Sequence, residues 1–212
     1  MSALLAGATG LIGRELAAHW TGPGPLHLLV RRAMPAAHPL HRVHVVDFAA
    51  LPPLPSAQLG FCCLGTTIKA AGSQAAFRAV DHTAVLAFAR AARRAGVRHF
   101  AVVSSLGASV GARSFYSRVK GEMEDELKTL GFASLVIARP SLLIGDRSTL
   151  AQPPRRGERL AQTLSAPFLP LIPVAWRPIA AATVARALLR ALSRPEPGVR
   201  VLLSAQLQEL GA

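Results

Sequence analysis

At 212 residues the chain has room for one domain with a sizeable hydrophobic core, and its 51% apolar content with scattered glycine and proline excludes a disordered or fibrous protein. The formal net charge of +13 comes almost entirely from arginine, since only Lys69, Lys120 and Lys128 are lysines. The arginines are spread along the chain, paired only at Arg31-Arg32, Arg93-Arg94 and Arg155-Arg156, whereas a nucleic-acid footprint needs clustering on one face and a reading motif. Cys62 and Cys63 adjoin in an apolar run, which is neither a disulfide framework nor a zinc spacing, and no histidine has metal-ligand spacing. Met1 to Gly7 run straight into a glycine-rich turn without a charged leader, and no stretch reaches the roughly 18 apolar residues of a membrane span. A cytoplasmic location is therefore expected.

Short runs rich in Val, Leu and Ile alternate with segments of helical period, the pattern of a doubly wound parallel sheet covered on both faces, a three-layer αβα Rossmann-type fold over residues 1–212. Strands are expected near Ala3-Ala6, Leu26-Val30, Arg42-Val46, Gly60-Leu64, His99-Ser104, Ser134-Ala138 and Arg200-Leu203. The first helix is expected over Leu11 to Trp20, with Ile12, Leu16 and Trp20 on one face. A second apolar stripe runs from Phe77 to Ala95 and ends at Gly96, a third helix carries Tyr116 to Leu130, and a last one spans Ala181 to Leu192. The alternation fails between Asp146 and Pro173, where prolines accumulate, and residues 146–176 are expected to form a small substrate-side lid beyond a strand's carboxyl end.

The first strand leads directly into Gly7-Ala8-Thr9-Gly10-Leu11-Ile12-Gly13. A tight strand-to-helix turn needs conformations and close approaches open to glycine, and the free N–H groups of the helix then face a diphosphate with the positive end of the helix dipole. Position makes this triplet informative: at the strand–helix junction of a βαβ unit it marks a dinucleotide site. After the second strand, where an NAD enzyme usually carries an acidic partner for the ribose hydroxyl, this chain has Arg31-Arg32. Guanidinium groups there suit a 2′-phosphate, so NADP(H) is expected over NAD(H), the plainer alternative being two solvated arginines. Asp47, after the third strand, can accept from the adenine amino group or cap a turn.

Tyr116 and Lys120 lie four apart on an expected helix and so project to one face. A phenol ionising near about pH 10 is a poor base at neutrality, and a nearby ammonium favours its phenolate. Ser104-Ser105 ends the preceding strand, where a hydroxyl can hold and polarise a substrate oxygen beside the tyrosine. Ser105 is taken as the direct contact, with Ser104 nearer the nicotinamide. A serine nucleophile is not favoured, because no G-x-S-x-G elbow or placed histidine and acid accompany these serines.

With these residues in place the chain resembles the atypical short-chain dehydrogenase/reductases, and among them the Tat-interacting-protein-like oxidoreductases. Carrying the resemblance are the opening glycine turn, Cys63-Leu64-Gly65-Thr66-Thr67 with Lys69, Ala71 and Gly72, Phe77 to Asp81, Tyr116 to Glu122, and Arg139-Pro140 with Asp146-Arg147. It implies a nicotinamide dinucleotide across the strand ends, contacted by Gly7, Thr9, Gly10, Leu11, Ile12 and Gly13, by backbone at Leu64, Gly65 and Thr66, and by Ser104, Tyr116 and Lys120. Pro140, Leu142 and Leu143 would border the nicotinamide ring.

Two functions follow as expectations: an NADPH-dependent oxidoreductase acting on a small carbonyl or alcohol, with Tyr116, Lys120 and Ser105 as its reaction centre, or an NADPH-loaded regulatory protein read by a partner. The substrate is not legible in the sequence. A homodimer through the helix carrying Tyr116 is open at this stage.

Overall fold

The computed structural model describes residues 1–145 and 173–212. The expected lid at 146–176 lies outside the described residues, apart from Pro173 to Trp176, of which Val174–Trp176 form a short 3-10 turn.

Among the described residues, seven strands build one all-parallel sheet: β1 (Ala3–Ala6), β2 (Leu26–Val30), β3 (His41–Val45), β4 (Leu59–Cys62), β5 (His99–Val103), β6 (Ser134–Arg139) and β9 (Gly198–Leu203), in the order β3-β2-β1-β4-β5-β6-β9. Two residues each of β7 (Leu143–Ile144) and β8 (Ile179–Ala180) pair separately. Every residue of β1 and β4 is buried, as strands covered on both faces require. The winding direction reverses between β1 and β4, and the crevice beyond their carboxyl ends is where open α/β sheets take ligands. The Rossmann-type fold expected from the sequence is the fold observed.

Two hydrophobic layers flank the sheet. On one face α1 (Leu11–Ala18) and α6 (Ala181–Ser193) pack Ile12, Leu16, Val184 and Leu188 over Leu5, Leu28 and Val136. Beyond α1, Trp20 sets its ring edge-on to Phe61, with centroids 6.3 Å apart, and donates its indole N–H to Gly24 O at 3.0 Å. A helix not anticipated from the sequence, α7 (Ser204–Gly211), lies on α6 and places Leu207 in the same core. On the other face α4 (Val85–Arg94) and α5 (Phe115–Lys128) cover Leu4, Cys62, Phe100 and Ile137 with Val85, Phe88, Met123 and Leu127.

The helix expected across Phe77 to Ala95 is in fact three pieces. After the short α2 (Ile68–Ala71), α3 (Gln74–Arg78) gives way to a π-helical turn, Ala79–Ala84, and then to α4. The far end behaves as expected: Gly96, at φ +93°, gives its N–H to Arg93 O while Val97 reaches back to Ala92 O, the paired bonds of a Schellman stop. In α5, a Cβ on Gly121 would sit 2.2 Å from Ser109 C, so the loop leaving β5 crosses tightly over this helix and fixes it against the sheet.

Candidate functional site

The opening turn is built by contact as much as by conformation. Gly7 adopts φ +86°, and a Cβ there would meet the carbonyl oxygen of Cys63 at 2.4 Å, so β1 and β4 exit side by side without space for a side chain. A Cβ on Gly13 would lie 2.1 Å from Gly7 O, which presses the first turn of α1 onto β1. Gly10 differs, because the nearest atom to its Cβ would be 3.4 Å away. Gly10 is the N-cap of α1 and supplies no side-chain cap, and the first helical turn carries no acidic residue. The positive end of this eight-residue helix is thus open to an anion, with Thr9 exposed beside it. This cradle of three glycines and an uncapped helix end fits a dinucleotide diphosphate. Leu11 faces the other wall, where a Cβ on Gly145 would be 3.1 Å from its Cδ2.

Arg31 and Arg32 are exposed and follow β2, which runs beside β1 with Leu29 opposite Ala6. Asp47 is exposed and accepts the Ala49 N–H at 2.9 Å, the turn-capping role among the two open to it.

Lys120 comes off α5 into the protein, with 3% of its side chain exposed. Its Nζ pairs with Asp81 Oδ1 at 2.8 Å and donates to Val103 O at 3.4 Å. The other carboxylate oxygen of Asp81 accepts the Thr66 N–H at 2.8 Å, joining the loop after β4 to the π turn. Gly65 lies over this pair, its Cβ position 3.4 Å from Asp81 Oδ1 and 3.9 Å from Lys120 Nζ. Burial works against the ammonium, but the attraction of Asp81, with smaller help from Tyr116 and Cys62, more than offsets it, and the Lys120 pKa is raised. Tyr116, half-buried one turn earlier, rests its ring on Phe77 with centroids 5.1 Å apart.

The two serines part company. Ser104 is buried and donates its hydroxyl to Glu124, a fully buried carboxylate that Arg139 grips through Nε at 3.0 Å and Nη2 at 2.6 Å. This ties β5, α5 and β6 together and turns the Ser104 hydroxyl toward Glu124. The Ser105 hydroxyl, also buried, has no hydrogen-bond partner among the described residues. Buried hydroxyls are ordinarily hydrogen-bonded, so Ser105 keeps an unused donor just past the carboxyl end of β5. Pro140 is buried and accepts the Leu106 N–H at 3.1 Å, Leu143 is half-buried in β7, and Leu142 is 56% exposed.

Asp81, Glu124 and Arg139 were not singled out as site residues from the sequence. Glu124 carried a usable signal, since it continues the four-residue spacing of Tyr116 and Lys120 along one face of α5. Asp81 stood only at the end of the Phe77 to Asp81 segment of the resemblance, with no sign of its pairing with Lys120, which depends on the π turn. The neighbouring thiols are quiet: burial pushes the Cys62 pKa up to about 12 and raises that of Cys63 as well.

Sheet order and the glycine turn together define a Rossmann-type dinucleotide-fold protein. A rat relative, protein HTATIP2, is 38% identical over 166 residues, covering 75% of this chain and 65% of that protein. The mitochondrial protein FMP52 of Eremothecium gossypii is 38% identical over 157 residues, covering 70% of this chain and 69% of the relative. The chain belongs to this HTATIP2/FMP52 family, although it spans slightly less than two thirds of the rat protein's length. No protein-family model matches it. Among solved structures, MoeE5 in complex with UDP-glucose and NAD shares the fold at a TM-score of 0.72 and 20% identity, covering 95% of this chain and 75% of that one.

One expectation is overturned here. Six fungal relatives bear the name FMP52 with the designation mitochondrial, against the cytoplasmic location inferred from the opening residues. That inference tested only for a secretory leader and a membrane span, and an organellar address requires neither. Among the described residues no helix is long and apolar enough to cross a membrane.

Proposed function

We propose that the chain is an NADP(H)-dependent oxidoreductase that interconverts a small carbonyl compound and its alcohol. The observation that carries this reading is the buried, unpartnered Ser105 hydroxyl at the end of β5, in the loop that crosses onto the helix of Tyr116 and Lys120. The glycine cradle and uncapped α1 support the diphosphate, and Arg31-Arg32 support the 2′-phosphate. When bound, NADPH supplies a hydride to the carbonyl carbon. Ser105 then donates a hydrogen bond to the substrate oxygen, orienting and polarising the carbonyl. Tyr116 gives that oxygen its proton, leaving a phenolate that is reprotonated from solvent, and Lys120 holds the neighbouring charge in place.

The test is turnover with a panel of aldehydes and ketones. Tyr116→Phe is expected to abolish NADPH oxidation while keeping NADPH affinity, and unchanged turnover in that variant would remove Tyr116 as the acid. A second reading, an NADPH-loaded regulatory protein with little turnover, draws on one observation: the Lys120 ammonium is already engaged by Asp81. Tight NADPH binding without oxidation across the whole panel is its signature.

A further inference from the structure

A lysine beside a catalytic tyrosine is useful because its positive charge favours the phenolate. In this protein that charge does not stand alone. Asp81 and Lys120 are both buried, 1% and 3% exposed, and their 2.8 Å contact makes a pair of zero net charge next to Tyr116. The carboxylate cannot readily swing away, because its second oxygen is held by the Thr66 N–H at 2.8 Å, and Lys120 is steadied from β5 by Val103 O.

The π turn makes this arrangement. Consecutive residues of an α-helix diverge by about 100°, yet the buried neighbours Asp81 and His82 both reach α5: Asp81 meets Lys120, and His82 Nε2 lies 2.9 Å from Glu126 Oε1. The wider π turn permits this, and such insertions gather at functional sites.

We propose that Asp81 is a positioning residue that clamps Lys120 and cancels its charge beside Tyr116, so that the proton affinity of Tyr116 is set by the Asp81–Lys120 pair and not by the lysine alone. Other groups facing this pair leave its charge balance intact. From β4, Cys62 is a thiol held neutral up to about pH 12. Farther along α5, Glu124 is matched by Arg139, and β5 presents to Lys120 the backbone oxygen of Val103. The raised pKa of Lys120 agrees with a carboxylate holding its proton in place.

Tyr116 is the sole tyrosine in the sequence, so tyrosinate absorbance during an alkaline titration reports it alone. Asp81→Asn keeps an acceptor for Thr66 and uncovers the ammonium, and the midpoint is expected to move down by about one pH unit. Lys120→Met leaves the carboxylate alone and is expected to move it up, and the double variant to return close to the starting protein. Opposite shifts that cancel are the signature of charge neutralisation; a purely structural role for Asp81 would not produce them. Shifts of the same sign, or no shift in Asp81→Asn, would overturn the proposal. If Asp81→Asn fails to fold, Asp81→Ser is read in the same titration and the sign of its shift decides, because loss of the lysine raises the midpoint with or without a charge-cancelling partner.

The proposal rests on Tyr116 as the reaction-centre acid, yet the titration needs neither substrate nor turnover. Failure of the sign pattern alongside lost turnover in Tyr116→Phe would remove the clamp and leave the enzyme reading standing. The correct pattern in a protein without turnover would do the reverse.

Discussion

The two ends of the cleft are made of different material. At the opening turn the geometry is backbone: glycines pressed against carbonyls within a span of seven residues, with no ionisable side chain required. At the reaction end it is side chains brought together from afar, with Asp81, Ser104, Lys120, Glu124 and Arg139 joined across four elements by buried ion pairs and hydrogen bonds. The turn has no space for an added atom at Gly7 or Gly13. In the distributed network each buried charge has its partner on another residue, so a change there acts through the charge left behind.

Substitutions should separate the two regions, and the largest effect belongs to the turn. Gly13→Ala places a methyl 2.1 Å from Gly7 O, and it is expected to cost upwards of about 4 kcal/mol in denaturant unfolding or to prevent folding. Gly10→Ala, whose Cβ has 3.4 Å of clearance, is expected to melt like the parent. Equal tolerance at both positions would refute the contact account of the turn. Next comes the network: Arg139→Ala strands the buried Glu124 carboxylate and is expected to cost about 3–5 kcal/mol. A loss below about 1 kcal/mol would show that solvent reaches Glu124 freely.

A smaller effect is expected at the nucleotide's far end. Replacing Arg31 and Arg32 together by alanine removes charge-assisted contacts to a 2′-phosphate and should weaken NADPH about tenfold or more while leaving NADH nearly unchanged. Equal losses for the two coenzymes would remove the phosphate-reading role.

The smallest effect is a pH dependence away from both regions. His27, His41 and His99 have lowered pKa values, foremost through burial, so the folded chain binds their protons less readily than the unfolded chain does. Their stabilisation is present above the unfolded pKa of about 6.5 and is lost as pH falls from there through the lowered folded values. Thermal melts should therefore shift downward on acidification across that window, with part of the loss recovered in His27→Gln, whose ring otherwise lies 2.9 Å from His44. A flat profile would contradict this.

The contrast also governs what the sequence could disclose. Ala3–Ala6 and Leu26–Val30 emerge at their expected bounds because strands covered on both faces leave short apolar runs, broken in the second only by His27. Gly7, Gly10 and Gly13 were legible because their spacing at a strand–helix junction is a short-range pattern, although the contact that Gly7 satisfies comes from Cys63. Tyr116 and Lys120 showed as a helical spacing, but the partner of Lys120 did not. Asp81 is 39 positions away, and the π turn that aims it has no period to betray it within an alanine-rich segment. The choice between Ser104 and Ser105 likewise depended on which strand face Glu124 approaches, a tertiary fact. Helix α7 is not legible because Ser204–Gly211 is short and weakly patterned, and tertiary packing on α6, β9 and the Val174–Trp176 turn stabilises it.

Everything functional in this account depends on a nicotinamide dinucleotide seated against the opening turn, and calorimetric titration of the parent and Gly10→Ala with NADPH and with NADH tests that most directly. The account predicts saturable heat with NADPH, weaker binding of NADH, and a marked loss of NADPH affinity in the equally stable Gly10→Ala variant. No heat with either coenzyme in the folded parent protein, or undiminished affinity in Gly10→Ala, would contradict it.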